Sequence, residues 1–350
     1  MASPVGCTQV NHNVNENDTR TGEMNTVFLD FDSLGPGDLD LSDLNQLLPD
    51  LTTFPSTNDK QLHERICEAE VVMVNKVPLD DAALAAANRL KLICLAATGT
   101  DNIALDSARQ RGIAVCNIRD YCTPSVVQHV FALILALTHH LNEYRTLLNQ
   151  GAWSDSPQFC LLDFPIRELT GKTIGIVGLG SLGKGVASAA QTFGMTVAAA
   201  ELPYHATQPR NNGDAVADIR RLPFSELLNV ADIISLHCPL NDQTRHLIDV
   251  QALRSMRTDA LLINTARGGL VNSLALIDAL RDGRIAGAGI DVLDQEPLVD
   301  GDPLIEAQLD NLIVTPHIAW AARESRQRAL NEMLANIVAF ENGEARNYVC

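Results

Sequence analysis

The chain has 350 residues, 46% of them hydrophobic, and carries a net charge of −17. That length exceeds what one hydrophobic core serves and predicts two domains, while the acidity repels phosphate backbones and anionic lipid, so neither nucleic acid nor a membrane is an expected partner. The same field repels a small anionic substrate, which would need a local positive pocket. The longest apolar run, Val130–Leu137, is far short of the roughly 20 residues that span a bilayer. The eight cysteines form no C-x-x-C pair, which suits reduced thiols and a cytoplasmic location. No metal site is expected.

In chain order, residues 1–25 are polar and Asn-rich, without the charged start and apolar stretch of a signal peptide, and are expected to be a disordered leader. Asn17-Asp18-Thr19 matches a glycosylation acceptor, a chance match without a secretion signal. Short apolar runs at Val27–Asp30, Val71–Val74, Leu92–Leu95 and Ala114–Cys116 predict strands. Helical patterns at Asn58–Ala69 and Asn102–Arg111 lie between them. This alternation implies a small, doubly wound parallel sheet. One long helix is predicted from Thr123-Pro124 to about Leu148, followed by an irregular segment, Gly151–Pro165, whose apolar side chains suggest a dimerisation arm. A second series of six strands follows, at Thr173–Val177, Thr196–Ala200, Ile233–Leu236, Leu261–Asn264, Ala288–Val292 and Leu312–Thr315. A last helix, Arg323–Asn342, is expected to fold back on the first domain. The expected division is 26–121 with 319–350, and 122–318 with an arm at about 140–170.

Gly178-Leu179-Gly180-Ser181-Leu182-Gly183 follows a predicted strand and opens a predicted helix. In that context the first glycine permits the turn, the second admits a pyrophosphate, and the third lets helix and strand approach. The helix start then offers amide donors and a positive dipole end. Glu201 ends the next predicted strand, where a carboxylate accepts the adenosine ribose hydroxyls and repels a 2′-phosphate. NAD is therefore preferred to NADP, with Arg210 in the following loop as the residue that would favour NADP.

Arg267, Glu296 and His317 fall at or just beyond the carboxyl ends of predicted strands. Reduction of a 2-oxo acid needs a cation for the carboxylate and carbonyl, and an acid for the forming alkoxide. Arginine supplies a fork that fits two oxygens, histidine donates near neutral pH, and a carboxylate beside a histidine favours its charged form and fixes its tautomer. His129, within an apolar helical run, reads as structural, and His237 with Pro239 as bordering the cofactor.

These motifs, namely the glycine turn, Asn264-Thr265-Ala266-Arg267-Gly268-Gly269, the segment from Asp291-Val292 to Glu296-Pro297, and Thr315-Pro316-His317, resemble in order and spacing the D-isomer-specific 2-hydroxyacid dehydrogenases. The resemblance spans about Val27 to Gly343 and implies a Rossmann-type NAD domain plus a smaller, flavodoxin-like substrate domain in a homodimer. It implies Arg267, Glu296 and His317 as the catalytic set. Cofactor contacts are then expected from the glycine turn with Ser181 and Leu182, from Glu201, His237, Pro239, Thr265, Arg267 and His317, and from Asp291 on the nicotinamide side. Thr98-Gly99-Thr100 would lend amides to the substrate carboxylate. Val74-Asn75-Lys76, Ala96–Thr100, Phe159–Pro165 and His317–Trp320 look most like glycerate dehydrogenases, also called hydroxypyruvate reductases. Trp320 would narrow the pocket toward hydroxypyruvate or glyoxylate, and Lys76 would add a second positive charge. Two alternatives stay open. One is D-3-phosphoglycerate dehydrogenase, weakened by the absence of a C-terminal regulatory domain and an arginine cluster. The other is a non-enzymatic, NAD-sensing scaffold resembling the C-terminal-binding-protein corepressors, weakened by the absence of a long tail.

Overall fold

The computed structural model describes residues 24–201 and 219–350. Nearly all of the expected leader, including Asn17 and Cys7, lies outside them, as does Arg210. The chain gathers into two units, one running to Arg119 and resuming at Ala329–Cys350, the other Asp120–Arg328. The expected change of domain at 318/319 thus stands ten residues before the observed one at 328/329.

The first unit is built on five parallel strands, β1 (Thr26–Phe28), β2 (Thr52–Thr53), β3 (Val71–Val74), β4 (Leu92–Leu95) and β5 (Ala114–Cys116). Their order is β2-β1-β3-β4-β5, so the direction of winding reverses between β1 and β3. β3 and β4 are buried along their whole length, which is why they read as unbroken apolar runs rather than as an alternation. The helix Asp59–Ile66 starts at Asn58, whose side chain accepts from the Lys60 and Gln61 amides while Gln61 reaches back, a reciprocal cap that satisfies donors the helix cannot. The C-terminal residues close the sheet edge: the Val349 amide donates to the Val115 carbonyl at 2.8 Å.

The second unit holds seven parallel strands, β6 (Thr173–Val177), β7 (Thr196–Glu201), β8 (Arg220–Pro223), β9 (Ile233–Leu236), β10 (Leu261–Asn264), β11 (Gly287–Ile290) and β12 (Leu312–Val314). The order β12-β11-β10-β9-β6-β7-β8 reverses between β6 and β9. Both sheets therefore hold one strand more than the sequence predicts, namely β2 and β8. Two helices replace the single one predicted from Thr123 to Leu148: Thr123–Thr138 and Leu141–Asn149, bent by 56°. The break falls at His140, whose φ of +53 is left-handed and cannot continue a right-handed helix. The first of these helices buries Val130, Leu133 and Ile134 beneath the sheet. Among the described residues no single helix is long and apolar enough to cross a membrane. The seven described cysteines are free thiols.

Candidate active site

The glycine turn occupies the place where the second sheet reverses, the usual ligand crevice of open α/β sheets. Gly178 has a φ of +102, and a side chain there would come within 2.6 Å of the His237 carbonyl and the Cys238 amide, so the turn lies directly on the end of β9. A side chain at Gly183 would strike the Gly178 carbonyl oxygen. At Gly180, by contrast, added carbon would meet nothing within 4 Å. Two glycines are thus demanded by packing, and the third keeps a space open at the start of the helix Ser181–Thr192, whose first turn holds Ser181 and Leu182. A pyrophosphate suits that space, with the first amides of the helix facing it.

Around this crevice, Glu201 is the exposed last residue of β7. The His237 ring accepts or donates one hydrogen bond at Nε2, 2.9 Å from Ser235 Oγ, and burial pushes its pKa down to about 4. An imidazole with that pKa is uncharged at neutral pH and offers a polar edge rather than a cation. Its Nδ1 and the Thr265 hydroxyl are buried and lack a hydrogen-bond partner among the described residues, a condition that a polar ligand relieves. The residues present fit a dinucleotide.

Arg267, Glu296 and His317 are brought together by three turns that follow β10, β11 and β12. Gly268 makes the first contact possible, because a side chain there would overlap the Leu293 carbonyl and the Asp294 amide, so the Arg267 turn rests on the turn leading to Glu296. Arg267 Nη1 donates to the Ala266 carbonyl at 2.7 Å. Glu296 Oε1 accepts the Leu293 amide at 2.8 Å, and its Oε2 lies 2.5 Å from His317 Nδ1. That pairing leaves Nε2 as the ring nitrogen open to a reacting group. The Trp320 indole donates to the His317 carbonyl at 3.0 Å and meets Tyr121 edge-on. Burial, together with the neighbouring Cys122, pushes the Tyr121 hydroxyl far up, against a smaller opposing effect of Arg267. Tyr121 therefore stays protonated beside the arginine.

Asp291 is held from within the second unit. The residue is only 1% exposed, and its carboxylate is engaged by protein donors: the Thr315 hydroxyl at 2.5 Å, the Ile318 amide at 2.9 Å and the Ala319 amide at 2.8 Å. His129 Nε2 lies 3.4 Å from it and 3.0 Å from the Thr315 hydroxyl. Burial alone would raise this acid's pKa, but the bonds from His129, Thr315, Ala319 and Ile318 outweigh burial and hold it below the ordinary value. Asp291 thus fastens both sides of the turn that carries His317. The motif pointed to the residue but not to this task, and nothing in the sequence marked His129 as its partner.

In the first unit the Thr98 hydroxyl donates to the Ile118 carbonyl at 2.8 Å, and Asn117 donates to the Thr98 carbonyl at the same distance. This fixes the turn Thr98-Gly99-Thr100 just after β4. Asn75 is buried and Lys76 exposed, directly after β3. Nothing in the sequence pointed to Asp30, whose carboxylate accepts the amides of both.

Comparison with known proteins agrees with this geometry. The profile described as D-isomer specific 2-hydroxyacid dehydrogenase, NAD binding domain, matches residues 131–319. The chain is 41% identical over 324 residues to a glycerate dehydrogenase of Methylorubrum extorquens, covering 92% of this chain and 98% of that one. It is 34% identical to a hydroxypyruvate reductase of Blautia hydrogenotrophica, covering 93% and 99%. Among solved structures, a D-lactate dehydrogenase from Aquifex aeolicus, complexed with NAD and lactic acid, superposes with a TM-score of 0.78 at 29% identity, covering 93% and 99%.

Proposed function

The chain belongs to the D-isomer-specific 2-hydroxyacid dehydrogenases, and from that membership we propose that it reduces hydroxypyruvate or glyoxylate to D-glycerate or glycolate with NADH, and catalyses the reverse oxidation. The observation that carries the proposal is the 2.5 Å contact between His317 Nδ1 and Glu296 Oε2, which readies the imidazole to deliver a proton from Nε2. Arg267 binds the substrate carboxylate and polarises the 2-oxo group, with charge arranged before the reaction begins. Glu296 stabilises the charged imidazole and fixes its orientation. Bound NADH supplies the hydride. Thr98, Gly99, Thr100, Asn75 and Lys76 are assigned to the substrate carboxylate and hydroxyls on the resemblance. Trp320, seated on the His317 turn, supports a small acid, as do the relatives named for glycerate and hydroxypyruvate.

Steady-state reduction with NADH over hydroxypyruvate, glyoxylate, pyruvate and 3-phosphohydroxypyruvate tests this. The first two should give the highest kcat/KM, and no turnover on any of the four overturns the proposal. Glu201, exposed at the end of β7, supports NADH over NADPH, and equal use of the two would remove its assigned role. A homodimer is proposed on the segment after the second helix, where Trp153 is 51% exposed, Phe159 94% and Leu162 78%. Apolar exposure of that extent is costly on a lone chain, and a monomer in sedimentation at micromolar concentration would overturn it.

A further inference from the structure

The first sheet reverses between β1 and β3, so its own ligand crevice opens beyond the ends of those two strands. One side of that opening is the segment Asn75-Lys76-Val77, directly after β3. Asp30, two residues beyond β1, holds it. The Asn75 amide donates to Asp30 Oδ1 at 2.9 Å, and the amides of Lys76 and Val77 donate to Oδ2 at 2.6 and 3.2 Å. From the other side Asn102 Nδ2 donates to the Val77 carbonyl at 3.1 Å. Asn75 Nδ2 adds a bond to Ser33 Oγ at 3.0 Å.

Asp30 is buried, so its charge is not placed to meet a ligand. It is spent on three consecutive amides, and the one side chain in the segment that remains exposed is Lys76. Fixing the backbone on both sides of a flexible lysine reduces the ordering it must undergo on binding. In a chain of net charge −17, a cation carried on a fixed backbone is what a small carboxylate requires.

We infer that Asp30 and Asn102 are positioning residues for substrate affinity: by clamping Asn75-Lys76-Val77 they set Lys76 against an anionic 2-oxo acid. This rests on the reading of Lys76 as a substrate contact. Asp30→Asn retains the shape, but one of its two atoms becomes a donor facing donors, and the clamp fails.

The test is a double-mutant cycle read as KM for hydroxypyruvate, kcat and NADH affinity. Lys76→Met should raise KM about tenfold. Asp30→Asn should raise it three- to tenfold, with more of its loss in KM than in kcat and with NADH binding unmoved. The Asp30→Asn, Lys76→Met double variant should be no worse than Lys76→Met alone. If Lys76→Met raises KM and Asp30→Asn does not, or if the two effects multiply, the clamp is overturned while Lys76 keeps its role. If Lys76→Met leaves KM unchanged, both the reading of Lys76 and the clamp fall. Should Asp30→Asn not fold, Asn102→Ala takes its place, with the same direction, a smaller rise, and the same loss of effect in the Lys76→Met background.

Discussion

The two sheets use one device twice, with opposite electrostatic outcomes. Asp30 lies beyond β1 and takes amides from the segment after the neighbouring β3; Asp291 lies beyond β11 and takes amides from the turn after the neighbouring β12. At Asp30, burial prevails over the amide bonds from Lys76, Asn75 and Val77 and over the Lys76 charge, and the carboxyl pKa is raised. At Asp291, burial is again the largest single effect, but His129 and the Thr315 hydroxyl join the amides and the pKa is lowered. Three backbone amides and the nearby Lys76 charge do not offset burial at Asp30, whereas at Asp291 two side-chain partners added to the amides do. The first unit thus holds its loop with a carboxylate pushed toward protonation, and the second holds the turn that carries His317 with one secured in the charged form.

The largest expected consequence separates chemistry from affinity. If the turn fastened by Asp291 carries the proton donor, His317→Ala should lower kcat by roughly a hundredfold or more, with NADH binding kept, as read by fluorescence titration. Unchanged turnover would remove His317 from that role. The glycine turn offers the next contrast. Gly183→Ala forces a side chain into the Gly178 carbonyl and should cost about 1–3 kcal/mol. Gly180→Ala meets nothing and should leave Tm alone while weakening NADH binding. Equal melting temperatures for the two variants would contradict the assignment of packing to one and ligand space to the other.

The pH dependence of stability tests the aspartates themselves. A carboxylate with a lowered folded pKa contributes stability that is complete above its unfolded value and is lost as pH falls through the lowered one. Asp291→Asn should therefore cost most at neutral pH, about 1–3 kcal/mol, and less as the medium is acidified below the ordinary carboxylate range. Asp30 has the opposite sign. Its raised pKa makes its contribution greatest below the unfolded value and smaller as pH rises through the folded one, so the cost of Asp30→Asn should shrink with increasing pH. Melting curves of both variants against wild type between acid and neutral pH would show slopes of opposite direction; parallel slopes would break the comparison.

The strands that the sequence made legible are those buried along their length, such as Val71–Val74 and Leu261–Asn264, where a short apolar run bounded by polar residues fits little besides a core strand. Thr52–Thr53 and Arg220–Pro223 escaped because they sit at sheet edges, one exposed and the other largely so, and an edge strand needs no apolar pattern. The helix break at His140 escaped because apolar spacing continues through it and nothing local signals a left-handed residue. The residues of the site were legible as types in order, since Arg267, Glu296 and His317 follow successive strands. What held them was not legible. Asp30, His129 and Thr315 act on backbone or on one another at long sequence separation, and a hydrogen-bonded brace leaves no periodicity behind.

His317 itself has a φ of +55, a left-handed backbone that costs a non-glycine residue about 1 kcal/mol. The Asp291 brace sustains that conformation, and the histidine occupies it for its ring alone. Glycine would hold the same turn without the penalty, so His317→Gly should melt above His317→Ala although both lack the imidazole. Activity and durability pull against each other at this one position. Glycine in that turn would keep the backbone that the Asp291 brace holds and would lose the imidazole that meets Glu296.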